Sequence, residues 1–428
     1  MNLTNILTLA LYPTPARQAQ ARIALTGKAR QASITLVAGC AIALFAACGQ
    51  SRDSDYCADS IYPGQYQNCE KNREKRRTTA ALALVAASGS GSSGSSAPSI
   101  YAVGYAKNSS SVQIPGYWKD GVFTSLSVLD ATRISDANGI AVAGGSVYVA
   151  GYSTNTSNVR VPGYWKDGSW VALDPINAST NSAAEAIVVS GSNVYVGGYS
   201  RTAGGIEQPV YWLNGTRTNL TPVDTGTHSG VSSILLSGSD IYTAGYSRDT
   251  AGGGSEQIPS YWIGTNRTTL SQPVADRDGL VLTLIQSGGS TYAGGWNRKA
   301  DNVQLAAYWK DGTRTDLNGP DSTRASVVWS IAVSGSDIYA GGAGTNTSNV
   351  TVPGYWLNGT WTGLTPLDSS RAAVVHSIAV SGSDVYAGGF SRNTSDVSVA
   401  GYWKNGTWTA LPGLQTDRDA EVREILIQ

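Results

Sequence analysis

The sequence predicts an all-β fold, a seven-bladed β-propeller with four strands in each blade, over residues 98–428. Three observations predict it: a tyrosine that recurs seven times, a Tyr-Trp pair that recurs with the same spacing, and a chain end that completes the first repeat. Both markers recur every 47 residues, with a single step of 50 in the same copy. Four short strands in a unit of about 45 residues are the signature of a propeller blade. The tyrosines are Tyr101, Tyr148, Tyr195, Tyr242, Tyr292, Tyr339 and Tyr386, and the pairs begin at Tyr117, Tyr164, Tyr211, Tyr261, Tyr308, Tyr355 and Tyr402.

Each copy contains four strand signals separated by turn residues. In the last complete copy we expect strands at 378–380, 385–389, 397–403 and 407–411. An Asp-Gly or Asn-Gly pair separates the last two strands in six copies, and such pairs favour two-residue hairpins because both residues tolerate positive φ. The copy with the 50-residue step departs from this pattern, and Gly252-Gly253-Gly254 widens one of its loops.

The two ends of the repeat region predict how the ring closes. Residues 99–101 match a second strand, but no first strand precedes them. Residues 425–428 match a first strand, because Ile425 lies 47 positions after Ile378. We therefore expect the C-terminal strand to complete the first blade, which removes two exposed sheet edges.

Composition agrees with tight-turned β-structure and argues against one class of partner. Charged residues make up 14% of the chain, which holds 50 glycines, 22 tyrosines and 12 tryptophans, and its formal net charge is zero. Nucleic-acid-binding domains carry a basic excess or stripe. Here the basic residues cluster only at 71–77, so we expect no nucleic-acid partner.

Residues 1–47 have the pattern of an export signal. Lys28 and Arg30 precede an apolar run at 34–47, which ends at Cys48. Leu44 to Cys48 resembles a bacterial lipobox, whose cysteine becomes the lipidated first residue. Cys40 is the alternative, although its apolar run would be very short. The apolar run at 34–47 is shorter than the ~20 residues that span a bilayer, which argues against an uncleaved anchor. We expect lipidation at Cys48, a membrane attachment through that lipid, and a location at the bacterial outer membrane or cell surface.

Residues 48–97 are expected to form a mostly disordered tether between the lipid and the propeller. Cys57 and Cys69 are close in sequence, and in an exported chain we expect them to form one disulfide. Residues 88–96 contain only Ser and Gly, which is typical of a flexible linker.

The repeat resembles the kelch repeat in three features: a glycine pair after the second strand, aromatic residues downstream, and an arginine before the first strand. It is also similar to the Tyr-Trp-Lys-Asn-Gly hairpin repeat of uncharacterised bacterial exported propellers. Propellers of the kelch type mostly bind proteins, and a few are oxidases or isomerases, so the resemblance implies the fold more firmly than the function. The glycine pair is intact at 197–198, 294–295, 341–342 and 388–389, and the arginines are Arg133, Arg277, Arg324, Arg371 and Arg418.

Candidate binding residues lie where the copies differ. The position two residues before the first-strand isoleucine or leucine varies in all seven copies, whereas its neighbours are more uniform. It falls at the start of the innermost strand, near the mouth of the central channel. We name five of its occupants as binding residues, although an under-constrained position would vary in the same way. The seven occupants are Asn138, Glu185, Ser232, Leu282, Trp329, His376 and Arg423, of which Ser232 and Leu282 are not named.

A second candidate is a cationic rim on the loops that follow the second strands. Solvated loop tips would explain these cations equally well. They are Lys107, Arg201, Arg248, Arg298 and Arg392.

The sequence offers little for catalysis or metal binding. Its two histidines, His228 and His376, fall in different copies, and Glu185 lies well apart from His376 around the ring. Neither a calcium loop of the Asp-x-Asp-x-Asp-Gly type nor a His-x-x-x-His zinc pattern occurs. We expect no catalytic residue, no metal and no cofactor.

The function expected from these features is that of a non-enzymatic surface lipoprotein whose propeller binds a protein or glycan, or assembles with copies of itself. One alternative is a hydrolase or lyase that acts on extracellular polysaccharide at the channel mouth. Another is a structural component of an envelope layer or filament.

Overall fold

A computed structural model describes residues 97–250, 256–274 and 277–428 of the chain. The expected signal segment, Cys48, the Cys57–Cys69 disulfide and the Ser/Gly linker lie outside the described residues. The described residues form 28 strands in seven antiparallel sheets of four strands each. The prediction of an all-β, seven-bladed propeller is confirmed. Within the same residues, no helix has the length and apolar character needed to span a membrane.

Each sheet is one blade, in which the strands follow one another from the innermost to the outermost. Blade 1 consists of β28 (Ala420–Ile427), β1 (Ile100–Lys107), β2 (Gln113–Lys119) and β3 (Val122–Ser125). Blade 2 consists of β4 (Asp136–Ala143), β5 (Ser146–Thr154), β6 (Arg160–Lys166) and β7 (Ser169–Ala172). Blade 3 consists of β8 (Ala183–Ser190), β9 (Asn193–Arg201), β10 (Glu207–Leu213) and β11 (Thr216–Asn219). Blade 4 consists of β12 (Ser229–Ser237), β13 (Asp240–Asp249), β14 (Glu256–Ile263) and β15 (Asn266–Thr269).

The remaining three blades follow in chain order. Blade 5 consists of β16 (Gly279–Ser287), β17 (Ser290–Arg298), β18 (Gln304–Lys310) and β19 (Thr313–Leu317). Blade 6 consists of β20 (Ser326–Ser334), β21 (Asp337–Thr345), β22 (Thr351–Leu357) and β23 (Thr360–Gly363). Blade 7 consists of β24 (Ala373–Ser381), β25 (Asp384–Arg392), β26 (Ser398–Lys404) and β27 (Thr407–Ala410).

The ring closes as the sequence predicts. β28 pairs antiparallel with β1, from Ile427 opposite Ile100 to Ala420 opposite Ala106. The backbones of Ser99 and Gln428 extend this pairing through two hydrogen bonds, of 2.6 and 2.9 Å. β28 also contacts β24 of blade 7 and β4 of blade 2, so the innermost strands form a continuous ring.

A tryptophan in the third strand ties each blade to the one before it. In all seven blades this indole is fully buried, and its Nε1–H donates to a backbone carbonyl of the preceding linker. Trp165 of blade 2, for example, donates to Ser127 O at 2.6 Å. Trp118 of blade 1 donates to Pro412 O at 2.7 Å and so makes the same contact across the ring closure. The recurring Tyr-Trp pair therefore serves the packing between blades.

The two faces of the ring differ in what they present. One face, the turn face, carries the tight hairpins between first and second strands and between third and fourth strands. The other, the loop face, carries the longer loops between second and third strands and the linkers between blades. Ser99 and Gln428 lie on the turn face, because they take the place of the hairpin that joins β24 to β25 in blade 7.

Candidate functional site

A β-bulge interrupts the innermost strand of every blade at the same register. In each case one residue has no partner on the second strand, as between Ala137 and Gly139 in β4 and between Val375 and Ser377 in β24. Bulges bend a strand, re-aim a side chain and are frequent near active sites. The bulged residues are the seven that vary between copies: Asn138, Glu185, Ser232, Leu282, Trp329, His376 and Arg423.

The five residues named as binding residues occupy consecutive blades but are buried. Their relative exposure is at most 5%. They follow the order Trp329, His376, Arg423, Asn138, Glu185 through blades 6, 7, 1, 2 and 3, and we call this set the inner arc. Ser232 and Leu282 complete the ring in blades 4 and 5. The structure places the inner arc in contacts between innermost strands near the loop face.

Asn138 joins blade 2 to blade 3. Its Nδ2 donates to Ala184 O at 2.9 Å and to Glu185 Oε2 at 3.2 Å. Both partners are acceptors, so this nitrogen must be oriented toward blade 3. Asn138 and Glu185 are therefore one pair of predicted site residues that the fold brings together.

His376 joins blade 7 to its two neighbours. Its Nδ1 lies 2.7 Å from Val422 O of blade 1. Since a carbonyl oxygen only accepts, Nδ1 carries the proton. The Trp329 ring of blade 6 packs edge-on against the imidazole, with centroids 5.5 Å apart. His376 does not meet Glu185, because the positions of Arg423 and Asn138 lie between them.

Arg423 is a buried cation compensated from two blades. Its guanidinium lies 3.1 Å from Glu421 of the same strand and 3.6 Å from Asp136 of blade 2. It also lies over the Tyr105 ring, 5.2 Å from the centroid. Burial, followed by the charge of Glu421, raises the pKa of Tyr105 well above its usual value. A buried guanidinium needs such partners, because removing one leaves an uncompensated buried charge.

Glu424 accepts a backbone donor from the neighbouring blade. Its Oε2 lies 2.8 Å from the N–H of Ile140, two residues past the bulge in β4. The side chain is almost fully buried, and burial raises its pKa well above the usual range of a glutamic acid, with the hydrogen bond from Ile140 acting against the rise.

Sequence reasoning missed the acids of the inner strands and a second ring of buried polar residues. Asp136, Glu421 and Glu424 are buried around Arg423 and Asn138, which no spacing in the sequence indicates. The second ring lies at the start of the third strands, four residues before each Tyr-Trp pair. Its members are polar in every copy, and that constancy was a readable signal. They are Gln113, Arg160, Glu207, Gln257, Gln304, Thr351 and Ser398.

Glu207 of this second ring is the centre of a cluster between blades 3 and 4. Its Oε1 accepts from Nε and Nη2 of Arg201 at 3.2 and 3.0 Å. Its Oε2 accepts from the Tyr246 hydroxyl of blade 4 at 3.1 Å. Its backbone N–H donates to His228 Nδ1 at 3.2 Å. The cluster lies apart from the inner arc, and it uses the one histidine that the arc does not contain.

Carboxylates neutralise most of the expected cationic rim. Lys107 lies 2.6 Å from Asp419, and Arg392 lies 3.0 Å from Asp396. Arg201 and Arg298 have carboxylate partners as well, at 3.0 and 3.4 Å. These four side chains therefore brace the loop face, and the rim offers less free positive charge than the sequence suggests.

Metal ligation requires several donor side chains around one point. Among residues 97–250, 256–274 and 277–428, no group of three His, Cys, Asp or Glu side chains has a geometry that could hold a metal ion. The acids in and beside the inner arc instead meet a guanidinium, an amide or a backbone N–H.

Fold and site together define a seven-bladed propeller with a ring of variable bulge residues, of which all but Ser232 are buried. No known protein-family model matches the chain, and no curated protein matches it. The kelch-like resemblance therefore stays a prediction.

Solved structures share low sequence identity with the chain. An acylaminoacyl peptidase of Pyrococcus horikoshii matches at 12% identity and a TM-score of 0.45, over 74% of this chain and 52% of the peptidase. The chain thus spans about half the length of that enzyme. The β-propeller domain of the Trilobed protease of Pyrococcus furiosus matches at 10% identity and a TM-score of 0.44, over 75% of this chain and 98% of that domain. A fucoside complex of the Aleuria aurantia lectin matches at 11% identity and a TM-score of 0.36, over 63% of this chain and 95% of the lectin.

Proposed function

We propose that this chain is an exported, lipid-anchored surface protein whose propeller binds a protein or glycan, or another copy of itself, without catalysing a reaction. The observation that carries the proposal is that Ser99, where the predicted tether would attach, and the variable bulge residues lie at opposite faces of the ring. The predicted tether joins the propeller at Ser99, on the turn face. The seven variable bulge residues lie near the loop face, which would then point away from the membrane.

The loop face also has the properties of a rigid recognition surface. Function concentrates on loops that a rigid scaffold positions. Beneath these loops, the inner arc and the Glu207 cluster connect adjacent blades through side-chain hydrogen bonds and ion pairs. Such contacts hold the loops of different blades in one arrangement, and a pre-ordered surface loses less entropy on binding.

The arrangement of the acids favours binding over catalysis. A general acid or base must reach the proton that it transfers. Asp136 and Glu421 are buried and face Arg423, whereas Glu424 is buried against Ile140 N. Nonetheless, the four acids around the innermost strands are the specific observation that supports the polysaccharide-active alternative; they are Asp136, Glu185, Glu421 and Glu424. Reducing-end release from a polysaccharide panel, lost in Glu185→Gln, would favour that alternative.

The test of the binding role blocks one face at a time. Ser157 is exposed in a loop of the loop face, and Ser192 is exposed in a hairpin of the turn face of the next blade. Ser157→Arg and Ser192→Arg add the same bulk and charge to opposite faces. Wild type and both variants would be compared on a glycan array and by sedimentation velocity for self-association. We expect Ser157→Arg to lower binding at least tenfold and Ser192→Arg to leave it unchanged.

The opposite result, in which only Ser192→Arg weakens binding, would overturn the assignment of the loop face. Wild-type protein that neither binds a glycan nor self-associates would leave only a protein partner within the proposal. Cross-linking on intact cells from an exposed loop-face position would then have to capture one.

A further inference from the structure

His228 takes part in a brace that recurs around the ring. In four places a backbone N–H at the start of a third strand donates to a side chain at the end of the following linker. Three of the acceptors are oxygens of Asn181, Asp278 and Asp419, at 2.9, 2.9 and 3.0 Å. The fourth is His228 Nδ1, which accepts from Glu207 N–H at 3.2 Å. The four braces therefore share one geometry but differ in the acceptor.

The imidazole differs from the oxygens in one chemical respect. An imidazole nitrogen accepts a hydrogen bond only in the neutral form, because both nitrogens carry a proton in the cation. Histidine also changes its charge between pH 5 and 8, where amides and ordinary carboxylates do not. Protonation would turn Nδ1 from an acceptor into a second donor facing Glu207 N–H.

We propose that His228 makes the joint between blades 3 and 4 acid-sensitive, so that lowering the pH through the histidine range releases the start of β10. The released residue is Glu207, whose side chain holds Arg201 and Tyr246. The brace exists only with the neutral imidazole, so protonation of His228 removes this hydrogen bond. Its contribution to stability is therefore present at high pH and lost as the pH falls.

Charged groups around His228 act in both directions. Glu207 and Arg201 lie on blade 3 and pair with each other. Tyr246, Arg248 and Asp249 lie on β13 of blade 4, and Thr227, beside His228, donates to Arg248 O. Asp224 lies on the linker itself, where it accepts from Gly226 N–H and Thr250. Glu207, Asp224 and Asp249 favour a protonated imidazole, whereas Arg201 and Arg248 oppose it.

The test follows hydrogen exchange of single amides in the full propeller at pH 8 and pH 5.5, corrected for intrinsic rates. We expect the protection of Glu207 N–H to fall about tenfold at pH 5.5, the effect of losing one hydrogen bond. The amides of Arg160 and Gln257, whose acceptors are Asn181 and Asp278, serve as internal controls and should keep their protection.

His228→Asn copies the brace at Asn181 and separates the imidazole from other causes. We expect Glu207 N–H in this variant to be protected equally at both pH values. His228→Ala should show the low protection at both. Unchanged protection in the wild type, or the same fall in His228→Asn, would overturn the proposal.

Discussion

Blades 6, 7, 1 and 2 build their outer half differently from blades 3, 4 and 5. In the first group a glycine in the third strand lies beneath an aromatic ring of the fourth. A Cβ added to Gly163 would come within 2.3 Å of the Trp170 ring, and one added to Gly354 within 2.5 Å of Trp361. The ring therefore lies against the backbone at the glycine, and the side chain of a larger residue would overlap it. The four pairs are Gly116–Phe123, Gly163–Trp170, Gly354–Trp361 and Gly401–Trp408.

In the second group a residue with a side chain replaces the glycine of the third strand, and an arginine replaces the aromatic residue of the fourth strand. Arg217 of blade 3 reaches the preceding linker, where its Nη1 lies 2.8 Å from Asp174 Oδ2 and 3.1 Å from Asp174 O. Polar contacts replace the stacked ring. The three pairs are Val210–Arg217, Ser260–Arg267 and Ala307–Arg314.

The comparison shows that the repeat varies by coupled positions. Both groups keep the third-strand tryptophan and its hydrogen bond to the preceding linker. The two positions of the outer half change together, so that a glycine in the third strand accompanies an aromatic ring in the fourth strand.

The largest expected effect comes from removing part of the closing strand in the first group. Deletion of residues 424–428 takes away the buried side chains of Ile425, Leu426 and Ile427 and leaves β1 with an open edge. Removing one such buried side chain costs about 2–5 kcal/mol of stability, and the free energy of unfolding of a whole domain is about 5–15 kcal/mol. We expect loss of the cooperative thermal transition, measured by circular dichroism, and aggregation, measured by light scattering.

Gln428→Ala is the control for that deletion, because it removes only the hydrogen bond from Gln428 Nε2 to Val142 O. It should melt close to the wild type. An unchanged melting temperature in the deletion would contradict the closure of the ring by β28.

A smaller effect tests the coupling between glycine and ring. Gly163→Val places a side chain inside the Trp170 contact and should lower the free energy of unfolding by about 2–3 kcal/mol, as overpacking does. Adding Trp170→Arg recreates the Val–Arg pair of blade 3 and should restore part of the loss. The linker before blade 2 has Ser127 at the position that Asp174 occupies before blade 3. The new arginine would therefore lack the carboxylate partner of Arg217, and the restoration should be incomplete. Urea unfolding of the two single variants and the double variant gives a coupling energy, for which we expect at least about 1 kcal/mol. Additive values would refute the idea of a paired exchange.

The smallest expected effect concerns Glu424, a buried acid of β28. The pKa of Glu424 is raised in the folded protein, so the folded state holds the proton more tightly than the unfolded state. Its contribution to stability is full below the ordinary glutamate range, near pH 4, and is lost as the pH rises toward the folded pKa. Glu424→Gln cannot ionise and keeps an oxygen acceptor for Ile140 N–H. The variant should match the wild type at pH 4 and exceed it at pH 8, by about 1.4 kcal/mol for each unit of pKa displacement. Chemical denaturation at both pH values measures this, and parallel curves would argue against a buried, protonated Glu424.

The fold was predictable because its signals are local and repeated. Tyr101 and Tyr117 mark positions within one blade, and six further copies repeat the distance between them with one widened loop. Ile425 matches Ile378, which marks the C-terminal residues as a first strand without a second. The repeat region begins with a second strand without a first, so pairing of these two strands was predicted to close the ring.

The site was predictable only in part. Variation between the copies singled out Asn138 and Arg423. The alternation of residues along a strand does not reveal the extra residue of a bulge, so the burial of these two side chains was not predicted. Asp136 meets Arg423 only because β28 lies beside β4, a contact between positions almost 300 residues apart in sequence. The pairing of Glu207 with Tyr246 depends likewise on how one blade faces the next.

Ser99 and Gln428 make the same backbone contact that Asp384 and Ser381 make in blade 7, where Gly382 and Ser383 join them. Two residues are thus all that separates this ring from a covalent circle. A Gly-Ser insert between 428 and 99 would seal it, and the polypeptide could be reopened at any other hairpin of the turn face. The ribosome could then start with any of the seven blades, while the order of the blades around the ring would stay the same.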